Sequence, residues 1–141
     1  MSVGYFLVRD ADAVFSVREY KAVQQWIDSV KHFHILRDWW MHTDLILAGM
    51  WGGIARVLSN MQELLSNYPT HSVTTPNVDQ WFLRDYMWRY IKYSHLSHDK
   101  NFSQGNSQAM PEPTPEGNIH IGDCEYHQRP QFQKNISGLA R

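Results

Sequence analysis

The chain has little cysteine and no long apolar run, and these two scarcities exclude several classes of protein. Cys124 is the only cysteine among 141 residues, so neither an internal disulfide framework nor a zinc site with several cysteine ligands can form. No apolar stretch approaches the roughly 20 residues that cross a bilayer, which predicts that the chain has no membrane span. The first apolar run is interrupted by Arg9 and Asp10 and lacks the layout of a signal peptide. Together these features predict a cytoplasmic location.

The chain also lacks an excess of charge of one sign. Its 13 Lys and Arg residues nearly balance 14 Asp and Glu residues, and no basic block stands out. Nucleic-acid-binding proteins usually carry a basic patch, so we expect no nucleic-acid partner. Aromatic residues are plentiful at 13%, with six Trp, and the hydrophobic share of 43% is typical of one globular domain with a real core.

Strand-like and helix-like patterns alternate along the first hundred residues. Apolar runs occur at 4–8, 33–36 and 45–53, and the chain returns to extended form over 92–97. Helical periodicity follows the capping box of Ser16 and Glu19 over about 16–30, recurs over about 54–66, and starts again near Thr75-Pro76. This alternation predicts an α/β fold with a mostly parallel or mixed sheet flanked by helices.

The composition changes after residue 99. Residues 100–118 are rich in Ser, Gln, Asn, Gly and Pro, which predicts a flexible loop or linker. Alternation over 119–126 predicts a possible edge strand, and the remaining residues to 141 are predicted to form a tail. The predicted organisation is therefore a domain over 1–99, a linker over 100–118, and an edge strand with a tail over 119–141.

Polar groups follow several of the predicted strands. Asp10 and Asp12 end the first apolar run, Arg37-Asp38 the second, and His98-Asp99 the last. Ligands of open α/β sheets bind outside the carboxyl ends of the strands, so this repetition indicates a site. In an extended chain Asp10 and Asp12 share a face, and paired carboxylates suit a hard divalent cation. Spacing alone favours the alternative interpretation, which is an ordinary polar turn.

An ordered set of motifs resembles a group of bacterial and viral proteins related to nucleotide-sugar glycosyltransferases, which have the GT-A fold, a Rossmann-like α/β sheet. The resemblance covers about residues 4–99. The segments that carry it are Arg9-Asp10-Ala11-Asp12, Arg18-Glu19, Trp26, Phe33-His34-Ile35-Leu36-Arg37-Asp38, Ile46-Leu47-Ala48-Gly49-Met50-Trp51-Gly52, Asp79-Gln80-Trp81-Phe82-Leu83 and His98-Asp99.

The resemblance implies transfer of a sugar from a nucleotide-diphosphate donor to a saccharide acceptor with the help of Mn²⁺ or Mg²⁺. In such enzymes Asp-x-Asp holds the metal, and a later His completes its shell. The metal ligands implied here are therefore Asp10, Asp12 and His98.

The same resemblance implies the substrate-binding and catalytic residues. The segment from Ala48 to Gly53 corresponds to the lining of the sugar and acceptor pocket, and Asp79-Gln80 to a contact with the transferred sugar. The implied substrate-binding residues are Arg9, Arg37, Gly49, Trp51, Gly52 and Gln80. An inverting enzyme also needs a carboxylate base, for which Asp38 and Asp79 are the candidates. For Arg37-Asp38, a simple salt bridge at a strand end is an equal alternative.

A full enzyme of this kind has a nucleotide-binding half before its Asp-x-Asp, whereas Asp10 stands nine residues after Met1. We therefore expect a fragment of a longer protein, a partner chain that supplies the missing half, or a loss of activity. The alternative hypothesis is a non-catalytic module that keeps the fold and binds a glycan or a partner chain. His32, His34 and His42 do not have the spacing of a closed zinc site, which favours structural or surface roles for them.

Overall fold

The computed structural model describes residues 4–69, 76–101, 107–114 and 119–124. A five-stranded mixed sheet forms its centre, with the strand order β1-β3-β2-β4-β5. The strands are β1 (Tyr5–Arg9), β2 (Phe33–Arg37), β3 (Met50–Ile54), β4 (His95–Asp99) and β5 (Ser107–Gln108). Strand β3 is antiparallel to both of its neighbours, whereas β2, β4 and β5 pair in parallel. The carboxyl ends of β1, β2 and β4 therefore meet at the same edge of the sheet as the start of β3.

Helices cover both faces of this sheet, and the prediction of an α/β fold is confirmed. The helices are α1 (Val17–Asp28), α2 (Met61–Ser66), α3 (Val78–Phe82) and α4 (Trp88–Ile91). A π turn (Leu83–Met87) joins α3 to α4 without a break. None of the helices in the described ranges is long and apolar enough to cross a bilayer.

Alternation along the strands divides the core between the two faces. On one face α1 packs Val23 and Trp26 against Leu96 of β4. The opposite face carries the largest cluster, in which residues of β2 and β3 pack against α2 and the continuous α3–α4 segment. The buried members of that cluster are Phe33, Ile35, Ile46, Trp51, Leu58, Leu64, Phe82, Leu83, Met87 and Ile91.

Helix α1 begins as the sequence predicts, because the side chain of Ser16 accepts a 3.1 Å hydrogen bond from the backbone N–H of Glu19. The predicted helix over 54–66 begins later than expected. Ile54 ends β3, where it pairs with Tyr5, and a 3₁₀ turn (Ala55–Leu58) precedes α2. Pairing with β1 thus overrides the helical periodicity at Ile54.

The edge of the sheet also differs from expectation. Within the described residues 119–124 there is one isolated antiparallel bridge, between Ala13 and Cys124, and no strand. The edge strand is instead β5, inside the segment whose composition predicts a linker. The predicted polar connection 70–75, the linker residues 102–106 and 115–118, and the tail 125–141 lie outside the described residues.

Candidate functional site

A polar pocket of about 240 Å³ lies at the edge where β1 ends, β3 begins and α3 starts. Four polar residues line it, namely Asp10, His42, Asp79 and Gln80. The glycine-bearing segment before β3 supplies its backbone wall. Residues that come from three separate motifs of the sequence therefore meet in one place.

Asp10 reaches this pocket because the residue opposite it has no side chain. The pairing of Arg9 with Met50 places Asp10 beside Gly49, at the start of β3. A Cβ atom on Gly49 would lie 2.4 Å from Cγ and from both oxygens of the Asp10 carboxylate. Glycine at position 49 is thus what allows the carboxylate to lie against the backbone.

Asp79 and Gln80 lie in the first turn of α3 and approach the pocket from the other side. The Oδ1 atom of Asp79 accepts a 2.8 Å hydrogen bond from the backbone N–H of Gln80. Asp79 itself is exposed, so its carboxylate can reach a ligand in the pocket. Its position at a helix start also stabilises its negative charge.

His42 is the pocket residue that the sequence motifs do not indicate. Its Nδ1 atom accepts hydrogen bonds from the backbone N–H groups of Asp38 and Trp39, both at 3.1 Å. Burial, and secondarily the charge of His120, lowers the pKa of His42 to about 4. The signal in the sequence is its position five residues after the end of β2, in a loop at the carboxyl edge of the sheet.

Three other predicted site residues form ion pairs and do not line the pocket, namely Arg9, Arg37 and Asp38. Arg9 pairs with Glu19 of α1 and also donates to the carbonyl of Trp51 at 3.2 Å. Arg37 pairs with Asp99 through hydrogen bonds of 2.5 and 2.9 Å. These pairs connect β1 to α1 and β2 to β4.

Asp38 is completely buried and is also part of such a pair. Its Oδ2 atom accepts from Arg18 of α1 and, at 2.9 Å, from the backbone N–H of Ile121. The pair joins β2, α1 and the segment 119–124. Since these contacts hold Asp38 away from solvent, Asp79 is the better placed of the two predicted carboxylate bases.

His98 lies beneath α1, where it is fully buried. Its Nε2 donates to the side-chain oxygen of Gln25, and its Nδ1 accepts from Nε2 of His34, both at 2.8 Å. Burial lowers the pKa of His98 to about 4, and burial followed by the charge of His98 lowers the pKa of His34 well below its usual value. Both rings are therefore neutral, with all nitrogens of His98 already engaged.

Trp51 and Gly52 belong to the sheet interior. Trp51 is buried and makes an edge-to-face contact with Phe6, with ring centroids 5.2 Å apart. A Cβ on Gly52 would lie 2.6 Å from the backbone oxygen of Phe6, so glycine is required there for strand pairing. Of the predicted substrate-binding residues, only Gly49 and Gln80 line the pocket.

The predicted metal ligands are not assembled into one set. Among the described residues, no group of three His, Cys, Asp or Glu side chains is arranged to hold a metal ion. Asp10 and Asp12 are both exposed, and the carbonyl of Asp10 accepts from the N–H of Ala13 at 3.1 Å, which closes the turn that carries them. A metal at this turn would need further ligands from a substrate or from water.

Comparison of the chain with protein-family models, with curated proteins and with solved structures found no match. The pocket is therefore interpreted from its own chemistry and from the resemblance of the sequence motifs.

Proposed function

We propose that this chain is a glycosyltransferase domain that binds a nucleotide-diphosphate sugar and transfers the sugar to a saccharide acceptor, with Mn²⁺ or Mg²⁺. The observation that carries the proposal is the convergence of Asp10, Gly49 and Asp79-Gln80 in one pocket at the carboxyl edge of the sheet. These residues come from the three motifs to which the resemblance gives donor-binding roles. The location agrees with the general position of ligands in open α/β sheets.

The chemistry of the pocket fits sugar transfer. The bond between the anomeric carbon and the diphosphate must break while an acceptor oxygen forms the new bond and loses its proton. In an inverting reaction, the exposed carboxylate of Asp79 is available to accept that proton. Asp10, and Asp12 in the same turn, would hold a divalent cation, which would supply charge stabilisation for the departing diphosphate; Mg²⁺ is commonly held by one or two carboxylates together with substrate phosphates.

Calorimetric titration with UDP and with GDP, each with and without Mn²⁺, tests the proposal. We expect binding that requires Mn²⁺ and that disappears in Asp10→Asn, which keeps the shape of the side chain but removes its charge. Asp28→Asn is the matched control, because Asp28 is exposed at the end of α1 and does not line the pocket. Absence of nucleotide binding at every Mn²⁺ concentration would contradict the proposal.

The second candidate is a non-catalytic module that binds a glycan through the same pocket. It is favoured by one specific observation, namely that the described residues do not bring His98 or any third ligand to the two Asp carboxylates. Such a module binds sugars without metal and without a nucleotide. Sugar binding that is equal with Mn²⁺ and with a chelator, combined with no affinity for UDP or GDP, would therefore select it.

A further inference from the structure

The ring of His42 is held in one orientation by the loop that follows β2. Two backbone N–H groups, of Asp38 and Trp39, point at its Nδ1 atom at 3.1 Å. The N–H of His42 also closes the turn by donating to the carbonyl of Trp39 at 2.9 Å. The ring of His120 packs edge-on against the imidazole, with centroids 5.2 Å apart, and restricts its rotation further.

These contacts decide where the imidazole carries its proton. A nitrogen that accepts two N–H groups cannot itself bear a hydrogen, so neutral His42 must be protonated on Nε2. The low pKa of about 4 keeps the ring neutral near pH 7. Among the described residues Nε2 has no hydrogen-bond partner, and His42 is one of the residues that line the pocket. His42 is therefore a donor at Nε2 and is not available as a general base.

We propose that His42 is a positioning residue of the pocket, whose Nε2–H donates to a hydroxyl oxygen of a bound sugar while the carboxylate of Asp79 accepts from another hydroxyl group. The inference rests on the proposed function, which it deepens by adding a third sugar contact. The groups that line the pocket are complementary to a ligand whose oxygens both donate and accept. A hydroxyl group does both, whereas a phosphate oxygen only accepts and would be repelled by a carboxylate that has no bound cation.

The dimensions agree with a single sugar ring. The pocket volume of about 240 Å³ lies below the range of roughly 300 to 1,000 Å³ that is usual for drug-sized ligands. Two aromatic side chains of the same loop lie outside the pocket lining: Trp39 packs on His120 with ring centroids 4.7 Å apart, and Trp40 is exposed.

Two substitutions test the roles of the two ring nitrogens of His42 separately. His42→Asn places an amide oxygen near the position of Nδ1, so it keeps the acceptor for the backbone N–H groups and loses the donor. His42→Gln places an amide N–H near the position of Nε2, so it keeps the donor and loses the acceptor. Binding is measured by NMR titration with glucose, galactose, mannose and N-acetylglucosamine as probes, up to their solubility limits. Nitrogen-15 NMR of the wild-type imidazole reports its tautomer, and the amide signals of Asp38 and Trp39 report the loop.

We expect the Nε2–H tautomer, sugar-dependent shifts of the His42 ring, and about a 10-fold loss of sugar affinity in His42→Asn with unchanged loop signals. His42→Gln should bind within about threefold of the wild type, because it restores the donor. An Nδ1–H tautomer, equal losses in both variants, an unchanged affinity in His42→Asn, or no binding of any sugar by the wild type would each overturn the inference. Sugar binding without affinity for UDP or GDP would overturn the proposed transferase and leave the role of His42 intact.

Discussion

Replacing Gly49 by alanine should disable the pocket without unfolding the protein. The added Cβ would lie 2.4 Å from the Asp10 carboxylate, and an ordinary contact begins near 3.4 Å, so the carboxylate must move by about 1 Å or more. Asp10 is exposed and can rotate into solvent, so the backbone need not shift. Among the described glycines only Gly122 has a positive φ, so alanine is compatible with the backbone at position 49.

Two contributions to the stability of Gly49→Ala oppose each other, whereas nucleotide binding is only weakened. A strained rotamer at Asp10 costs about 0.5 to 1.5 kcal/mol, while Gly→Ala at a compatible position stabilises by about 0.4 to 1 kcal/mol through the unfolded chain. The free energy of unfolding should therefore change by less than about 1 kcal/mol. Displacing the carboxylate that we propose as a metal ligand should weaken Mn²⁺-dependent nucleotide binding by roughly 10- to 100-fold.

Two other glycines provide the controls for this experiment. Gly4→Ala adds a Cβ with nothing within 4 Å, and it should change neither stability nor binding. Gly52→Ala directs its Cβ at a backbone oxygen 2.6 Å away, and should destabilise by about 1 to 3 kcal/mol. Urea denaturation and calorimetric titration of the three variants give both quantities. Unimpaired nucleotide binding by Gly49→Ala, or a loss of stability as large as that of Gly52→Ala, would refute the reasoning.

Two further predictions concern the interior. Burial lowers the pKa of His98 to about 4. Between about pH 6.5 and pH 4 the unfolded chain therefore binds a proton at this residue that the folded state does not bind. Over that range the free energy of unfolding falls by up to about 1.4 kcal/mol for each pH unit by which the pH is lowered. His98→Gln should reduce that slope in denaturation curves, whereas His32→Gln, at an exposed position, should retain it. Asp38→Asn leaves buried Arg18 without a countercharge, so the free energy of unfolding should fall by about 3 to 5 kcal/mol in the same assay. A decrease in that free energy of less than about 1 kcal/mol would contradict the pairing.

The sequence predicts the elements of this fold better than their order in the sheet. Apolar runs and a capping box identify β1, α1 and β2, because these signals are local. The insertion of β3 between β1 and β2 depends on pairing across the sheet, in which Leu7 faces Gly52 and His34 faces the same glycine. No local pattern contains that information, since the period-2 pattern of one strand shows its two faces but not which other strand lies beside it.

The sequence also predicts only part of the candidate site. Strand ends that carry polar residues are visible in the sequence, and Asp10, Gly49, Asp79 and Gln80 do line one pocket. What the sequence does not contain is the side to which each polar group turns. Arg37 and Asp38 are adjacent, yet Arg37 pairs with Asp99 of β4 and Asp38 with Arg18 of α1. The alternation of a strand sends neighbours to opposite faces, so adjacency at a strand end does not make a shared site.

The distribution of charge at this edge bears directly on how a nucleotide could bind. Arg9, Arg18 and Arg37 each pair with a carboxylate of the protein, so none of their charges is uncompensated. Among the described residues, Asp10 and Asp79 have no such cationic partner. A diphosphate entering the pocket would therefore meet negative charge. The Coulomb repulsion between two unit charges about 4 Å apart costs about 1 kcal/mol even in water. Only a cation between the carboxylates and the phosphates reverses that sign. Nucleotide binding in the presence of a chelator would for this reason exclude the pocket as the diphosphate site, whereas sugars, which carry no charge, should enter it with or without metal.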